Sequence, residues 1–267
     1  MRDILEEIVA RKRTEVAAAK EIITPRFLYS QVEKLLATDT RPHLSMRDSL
    51  AGSPSGIIAE FKRKSPSKGW IHADVRPEDV VPLYAAGGAS ALSILTDEYY
   101  FGGSQAFIRT VRPLVKDTPI LRKDFIIDEY QLFEACMIGA DAVLLIAADL
   151  QKEECRSLLQ TARELGLEVL LEIHDEKELD YVTPDVDMLG VNNRHLGTFH
   201  TDVRQSFRIA EALPGDMLLV SESGLSDPAT VRDLRAVGFR GFLIGETFMR
   251  EADPGIALSN FIQQLES

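Results

Sequence analysis

Cysteine is nearly absent from the chain. Only Cys136 and Cys155 occur in 267 residues, both inside helical patterns and without ligand spacing, which fits a reduced, cytoplasmic setting. Positive charge is also short, with 30 Lys and Arg against 42 Asp and Glu for a net charge of −12. That balance opposes binding to nucleic acid, although a local basic cluster can still hold a small anion. No apolar run approaches the roughly 18 residues that would span a bilayer. The N-terminal MRDILEEIVARKR mixes charges into its apolar residues and has no signal-peptide core. Neither a Gly-x-x-x-x-Gly-Lys loop nor a dinucleotide fingerprint is found. The five histidines (His43, His72, His174, His195 and His200) lack metal spacing, and no carboxylate cluster suggests a bound ion. The expectations are therefore a cytoplasmic protein without cofactor or metal, without nucleic-acid or membrane partners, and a monomer or weak homo-oligomer.

What the chain does have is eight short apolar runs: 57–61, 91–95, 119–123, 142–147, 168–173, 188–192, 217–221 and 241–245. Continuous apolar runs suit strands covered on both faces. Between them lie amphipathic stretches such as Ser104–Pro113, Asp128–Ile138, Gln151–Leu165 and Asp227–Val237. Gly87-Gly88, Gly139, Gly166 and Gly238 close helical patterns just before the next strand, as left-handed C-terminal caps do. Alternation of this kind implies parallel pairing with right-handed crossovers. Eight units favour an α/β fold of the closed (β/α)8 TIM barrel type over an open sheet, which would show a glycine-rich first turn.

Residues 1–55 fall outside the repeat. Leu5, Ile8, Val9, Val16 and Ala19 approach helical spacing, a second helix is expected near Phe27–Leu36, and polar, proline-containing sequence (Thr38–Pro42, Gly52–Pro54) leads into the first strand. This extension is too short to stand alone. The expected organisation is one domain, 1–267, with the extension packed on the barrel. Spacing leaves its place open between the mouth and the bottom.

Five strands end in ionisable or amide residues: Glu60 and Lys62, Lys123, Glu172, Asn192, and Glu222. Burying an unpaired charge costs several kcal/mol or more, so such groups gathered at one strand edge point to a site. In parallel barrels that edge is the catalytic face. Glu60 and Lys62, two apart, share the inward face while Phe61 points to the helices. Lys123 is suited to acid, anion-binding or Schiff-base roles, and Glu172 is a candidate general base. His174 follows Glu172 by two but reads as a loop residue. Arg63 and Lys64 read as a solvated basic run. Ser223, Gly224 and Gly245 follow the seventh and eighth strands, where barrels often hold phosphate on backbone N–H groups, and Ser65 can add a donor.

The segments IIAEFKRKSPSKG, ALSILTDEYYFGGS, LRKDFIIDEYQ, GADAVLLI, LLEIH, GVNNRHL, SESGL and FLIGETFMR, in that order over about Ile57–Arg250, resemble the indole-3-glycerol-phosphate synthase family of tryptophan biosynthesis. The resemblance implies a cofactor-free carboxy-lyase acting on 1-(2-carboxyphenylamino)-1-deoxyribulose 5-phosphate. It implies Lys123 as general acid and Glu172 as general base, with Glu60 and Lys62 positioning the reacting groups. Asn192 and Glu222 would hold sugar hydroxyls or the amine, and Arg194 would lie near the carboxylate. Ser65, Ser223, Gly224 and Gly245 would hold the phosphate, and Phe101, Phe125, Leu144 and Leu196 would wall the aromatic ring. Two positions depart from the family pattern. His195 replaces a frequent Asp, which puts any salt bridge there in doubt. Glu246 replaces a Ser beside the phosphate and is expected to turn its carboxylate away, offering only its backbone N–H. Two alternatives stand beside this reading. A phosphoribosylanthranilate isomerase-like barrel would want an Asp and a Cys at strand ends, and no strand here ends in Cys. A non-catalytic barrel would have to keep many inward charges for structure alone, at high desolvation cost.

Overall fold

The computed structural model describes residues 4–38, 44–195, 200–213 and 217–267. Eight parallel strands close into a barrel: β1 (Ile57–Phe61), β2 (Ala91–Leu95), β3 (Ile120–Lys123), β4 (Ala142–Ile146), β5 (Glu168–Ile173), β6 (Met188–Asn192), β7 (Leu219–Glu222) and β8 (Phe239–Ile244). Each pairs with its sequence neighbours, and β1 with β8 closes the ring. Helices cover the outside. Three of those foreseen are Glu129–Ile138, capped by Asp128, Lys152–Glu164, and Pro228–Ala236, capped by Asp227. Gly88, Gly139, Gly166 and Gly238 take positive φ at the ends of such helices, whereas Gly87 does not.

Strand alternation sorts the side chains into two cores. Phe61 faces outward into the layer between strands and helices, edge-on to Phe107. The barrel interior is packed by Ile58, Leu121, Leu144, Leu170, Met188 and Val220 among others. Its lower opening is filled by an element that the sequence reading passed over. Helix α3 (Met46–Gly52) is capped by Ser45 and inserts Met46 and Leu50, both fully buried, into that interior core.

The extension therefore serves both ends of the barrel. Helix α1 (Ile4–Ile22) lies across the loops that follow β2 and β3, and α2 (Pro25–Thr38) packs on the helix after β3 through a stacked Tyr29–Phe133 pair. Residues 39–42 of the expected connection lie outside the described residues. Buried Lys12 joins α1 to the loops, with Nζ 2.8 Å from Asp97 and 3.0 Å from Asp124. Burial alone would lower the Lys12 amine, but Asp124 and Asp97 outweigh it and hold the pKa above the usual lysine range. Removing one partner from a buried ion cluster is costly, on the order of 3–5 kcal/mol. Lys12→Met is thus expected to lose about 3 kcal/mol in urea unfolding. Its KM should rise more than its kcat falls, because α1 also roofs the cavity described below.

Candidate active site

The strands deliver their polar ends to one cavity of ≈ 620 Å³ at the C-terminal mouth. Glu60, Lys62, Lys123, Glu172, Asn192 and Glu222 all line it, as do Ser65, Phe101, Phe125, Leu144, Arg194, Ser223, Gly224, Gly245 and Glu246. Leu196 lies outside the described residues. Ile4, Leu5 and Ile8 of α1 form part of the wall, an apolar roof that the sequence pattern did not assign to the site.

At the centre, Lys123 Nζ sits 3.5 Å from Glu172 Oε2 and 3.3 Å from Glu222 Oε2. Glu60 pairs with Lys62 at 2.6 Å. Asn192 Nδ2 donates to Glu172 Oε1 at 3.0 Å, and His174 Nε2 lies 3.1 Å from the same oxygen. Alternation explains the gathering. Residues 58 and 60, 121 and 123, 170 and 172, and 220 and 222 take the same inward face, apolar below and polar at the mouth.

Two glycines make room for carboxylates. A Cβ at Gly190 would overlap Glu222 Oε1, and one at Gly245 would overlap Glu60 Oε1. Gly245 thus has a packing reason independent of any anion.

The charges set one another's protonation. Burial would lower the Lys123 amine, but Glu222, Glu172 and Glu60 together hold it above the usual lysine range. Glu172 is opposed by burial, yet Lys123 and His174 hold its carboxyl well below the usual range. Glu60 is held down likewise, with Lys62 and Lys123 outweighing burial. Glu222 goes the other way. Burial, with Glu172 alongside, pushes it up to about 8 against the pull of Lys123. Opposed shifts in two neighbouring buried carboxylates mark the cluster as a candidate functional site.

A stability consequence follows for Glu222. An unfolded glutamate titrates near pH 4.3, so between about pH 4 and 8 the folded state binds a proton that the unfolded state has lost. Its contribution is fully present below pH 4 and is lost as pH rises through 8. Glu222→Gln should therefore match the wild type near pH 4 in urea unfolding. It should gain stability as pH rises, reaching on the order of 5 kcal/mol at pH 9.

The loops after β1, β7 and β8, where the sequence pattern leads one to expect an anion, meet at one end of the cavity. Ser223 takes φ 68°, a left-handed conformation that costs a non-glycine residue on the order of 1 kcal/mol or more. The buried Ser65 hydroxyl has no hydrogen-bond partner. A strained turn and an unpaired buried hydroxyl on one cavity wall are consistent with a ligand group between them.

Arg194 crosses the mouth, donating to Ser67 Oγ at 2.8 Å and approaching Glu246 Oε2 at 3.9 Å. The Glu246 carboxylate also lies 3.9 Å from Lys68, so its charge is offset by two cations at the mouth. Glu246 is thus one acidic partner of Arg194, in a chain whose residue 195 is histidine. Arg63 and Lys64 play no part in the cavity lining; they donate to the Gly102 and Tyr99 carbonyls and fasten the loop after β1.

Residues 5–261 match the family model for indole-3-glycerol phosphate synthase. The chain belongs to that family. It is 59% identical over 266 residues to the indole-3-glycerol phosphate synthase of Bacteroides thetaiotaomicron, covering all of both chains. It is 45% identical to that of Neisseria gonorrhoeae, over 96% of this chain and 97% of the relative. Among solved structures, the thiamine phosphate pyrophosphorylase of Pyrococcus furiosus superposes with TM-score 0.60 at 17% identity, over 83% of this chain and 98% of the other. That likeness shows the barrel fold alone. Among the described residues no helix is long and apolar enough to cross a membrane.

Sequence reasoning undervalued His174. It does follow the last residue of β5, but the two-residue period continues past the strand and brings its ring onto Glu172. The signal was the spacing itself.

Proposed function

We propose that the cavity carries out ring closure, decarboxylation and dehydration of 1-(2-carboxyphenylamino)-1-deoxyribulose 5-phosphate, giving indole-3-glycerol phosphate, carbon dioxide and water. Family membership makes the chain a carboxy-lyase of tryptophan biosynthesis that acts on a phosphorylated small molecule. The observation that carries the residue assignment is the placing of protonated Lys123 between Glu172 and Glu222 at the foot of the cavity.

In this reading the ring carbon bearing the carboxylate attacks the ribulose carbonyl, and Lys123 gives its proton to the carbonyl oxygen. The carboxylate leaves as carbon dioxide and restores the ring electrons. The new hydroxyl takes a second proton, from the Lys62 ammonium, and departs as water, while Glu172 accepts the carbon-bound proton whose loss completes the indole. Glu60 fixes Lys62 toward the reacting groups. Asn192 and Glu222 face the sugar hydroxyls or the amine, and Arg194 faces the carboxylate. The Glu222 oxygens are buried without an aligned donor, so a substrate hydroxyl or amine would satisfy them. Ser65, Ser223, Gly224, Gly245 and the Glu246 backbone N–H form the phosphate end. Phe101 and Phe125, with ring centroids 6.0 Å apart, and Leu144 flank the aromatic ring. Barrel and extension act as one domain. The test is purified protein with this substrate, without added metal or nucleotide, followed by indole fluorescence. Turnover supports the reading, and no signal from folded protein rejects it.

A further inference from the structure

We infer that His174 is a positioning residue for Glu172: lying between Glu172 and Glu178, its imidazole anchors one oxygen of the general base and leaves the other turned to Lys123 and the substrate. The inference rests on the reading of Glu172 as the base. Asn192 Nδ2 donates to Oε1 at 3.0 Å and His174 Nε2 approaches the same oxygen at 3.1 Å, at ion-pair distance though not aligned as a hydrogen bond, whereas Oε2 looks to Lys123. The His174 ring is largely buried, and its own place is over-determined. Its backbone N–H donates to Glu178 Oε2 at 2.6 Å, its Nδ1 lies 3.9 Å from the same oxygen, and its carbonyl accepts from the Gln205 amide. A buried ring on a backbone pinned at both its N–H and its carbonyl presents Nε2 to Glu172 without the freedom of an exposed histidine.

Charge reinforces the geometry. Glu172, Glu178 and Glu222 surround the imidazole, with Lys123 beyond Glu172, and Arg13 and Asp149 line the second cavity into which His174 opens. Burial would lower the imidazole pKa, but the three glutamates outweigh it and hold it above the ordinary value. The ring is then more readily protonated than a free imidazole, and a proton on it favours the ionised base. A cation beside a carboxylate lowers its pKa, and losing the cation raises it.

The experiment is the pH profile of kcat/KM for wild type, His174→Ala, His174→Gln and Glu172→Gln. In His174→Ala, kcat at neutral pH should fall about tenfold, a modest share of what a general base contributes. Its KM should stay within about twofold, and the acid limb should move to higher pH by about one unit. Glutamine restores a donor without the charge, so His174→Gln should recover much of the rate with the limb still displaced. A packing role alone would leave the limb where it is. An acid limb of His174→Ala that superimposes on wild type overturns the inference. If that variant fails to fold, an unmoved limb in His174→Gln overturns it equally. A Glu172→Gln enzyme as active as wild type would instead reject Glu172 as the base, a failure distinct from either histidine result.

Discussion

Lys123→Ala is expected to lower kcat by about 10³-fold or more, with KM changed only a few-fold. General acid catalysis by a positioned side chain is worth about 10²–10⁴, and in the proposed mechanism this lysine does more than donate a proton. It lies within ion-pair distance of Glu172 and Glu222 and adds to the field that keeps Glu60 ionised. Removing it leaves these buried carboxyls without their shared cation, and desolvation then raises them. Part of the Glu172 population becomes protonated, so the base is damaged along with the acid. The acid limb of kcat/KM should accordingly move up in Lys123→Ala. Lys123→Met keeps most of the volume and should behave alike, which separates charge from packing. A variant that keeps wild-type kcat would remove Lys123 from the mechanism.

Much of this arrangement was legible because a strand's two-residue period is rigid. Once Glu60, Lys123, Glu172 and Glu222 are assigned to strand ends, their shared inward face follows without knowledge of the helices. Strand edges were less certain, for local reasons. Pro119 cannot donate to the ladder, so β3 opens at Ile120, and an irregularity at Phe239/Gly241 lets β8 start two residues earlier than its apolar run. The place of the extension was illegible because helical spacing records which face is apolar and not what covers it. Here α1 roofs the mouth while α3, a seven-residue helix cued only by Ser45, Met46 and Leu50, closes the bottom. The surroundings of Glu246 were not legible because its neighbours, Arg194 and Lys68, are distant in sequence. Repulsion from a bound phosphate was visible in the sequence, and the two cations were not.

Glu172→Gln should cost about 10²–10⁴ in kcat at constant KM. Glutamine keeps the shape and can still accept from Asn192 at one oxygen, beside His174. Its amide nitrogen then faces Lys123, where Glu172 Oε2 stood 3.5 Å away, so a proton acceptor becomes a donor opposed to another donor. Glu172→Asp keeps the charge but withdraws it, and a displacement of about 1 Å can itself cost about 10²-fold. Glutamine damage without aspartate damage would mean that charge matters and position does not, contrary to the clamp formed by Asn192 and His174. The double variant Lys123→Ala/Glu172→Gln discriminates further. Acid and base that share an ion pair act as a unit, so their losses are not additive. The double variant should fall little below the worse single one. Full additivity in kcat would mean that the two residues serve steps that do not depend on each other, and the coupling through Lys123 would then be electrostatic stabilisation of the fold without a catalytic part.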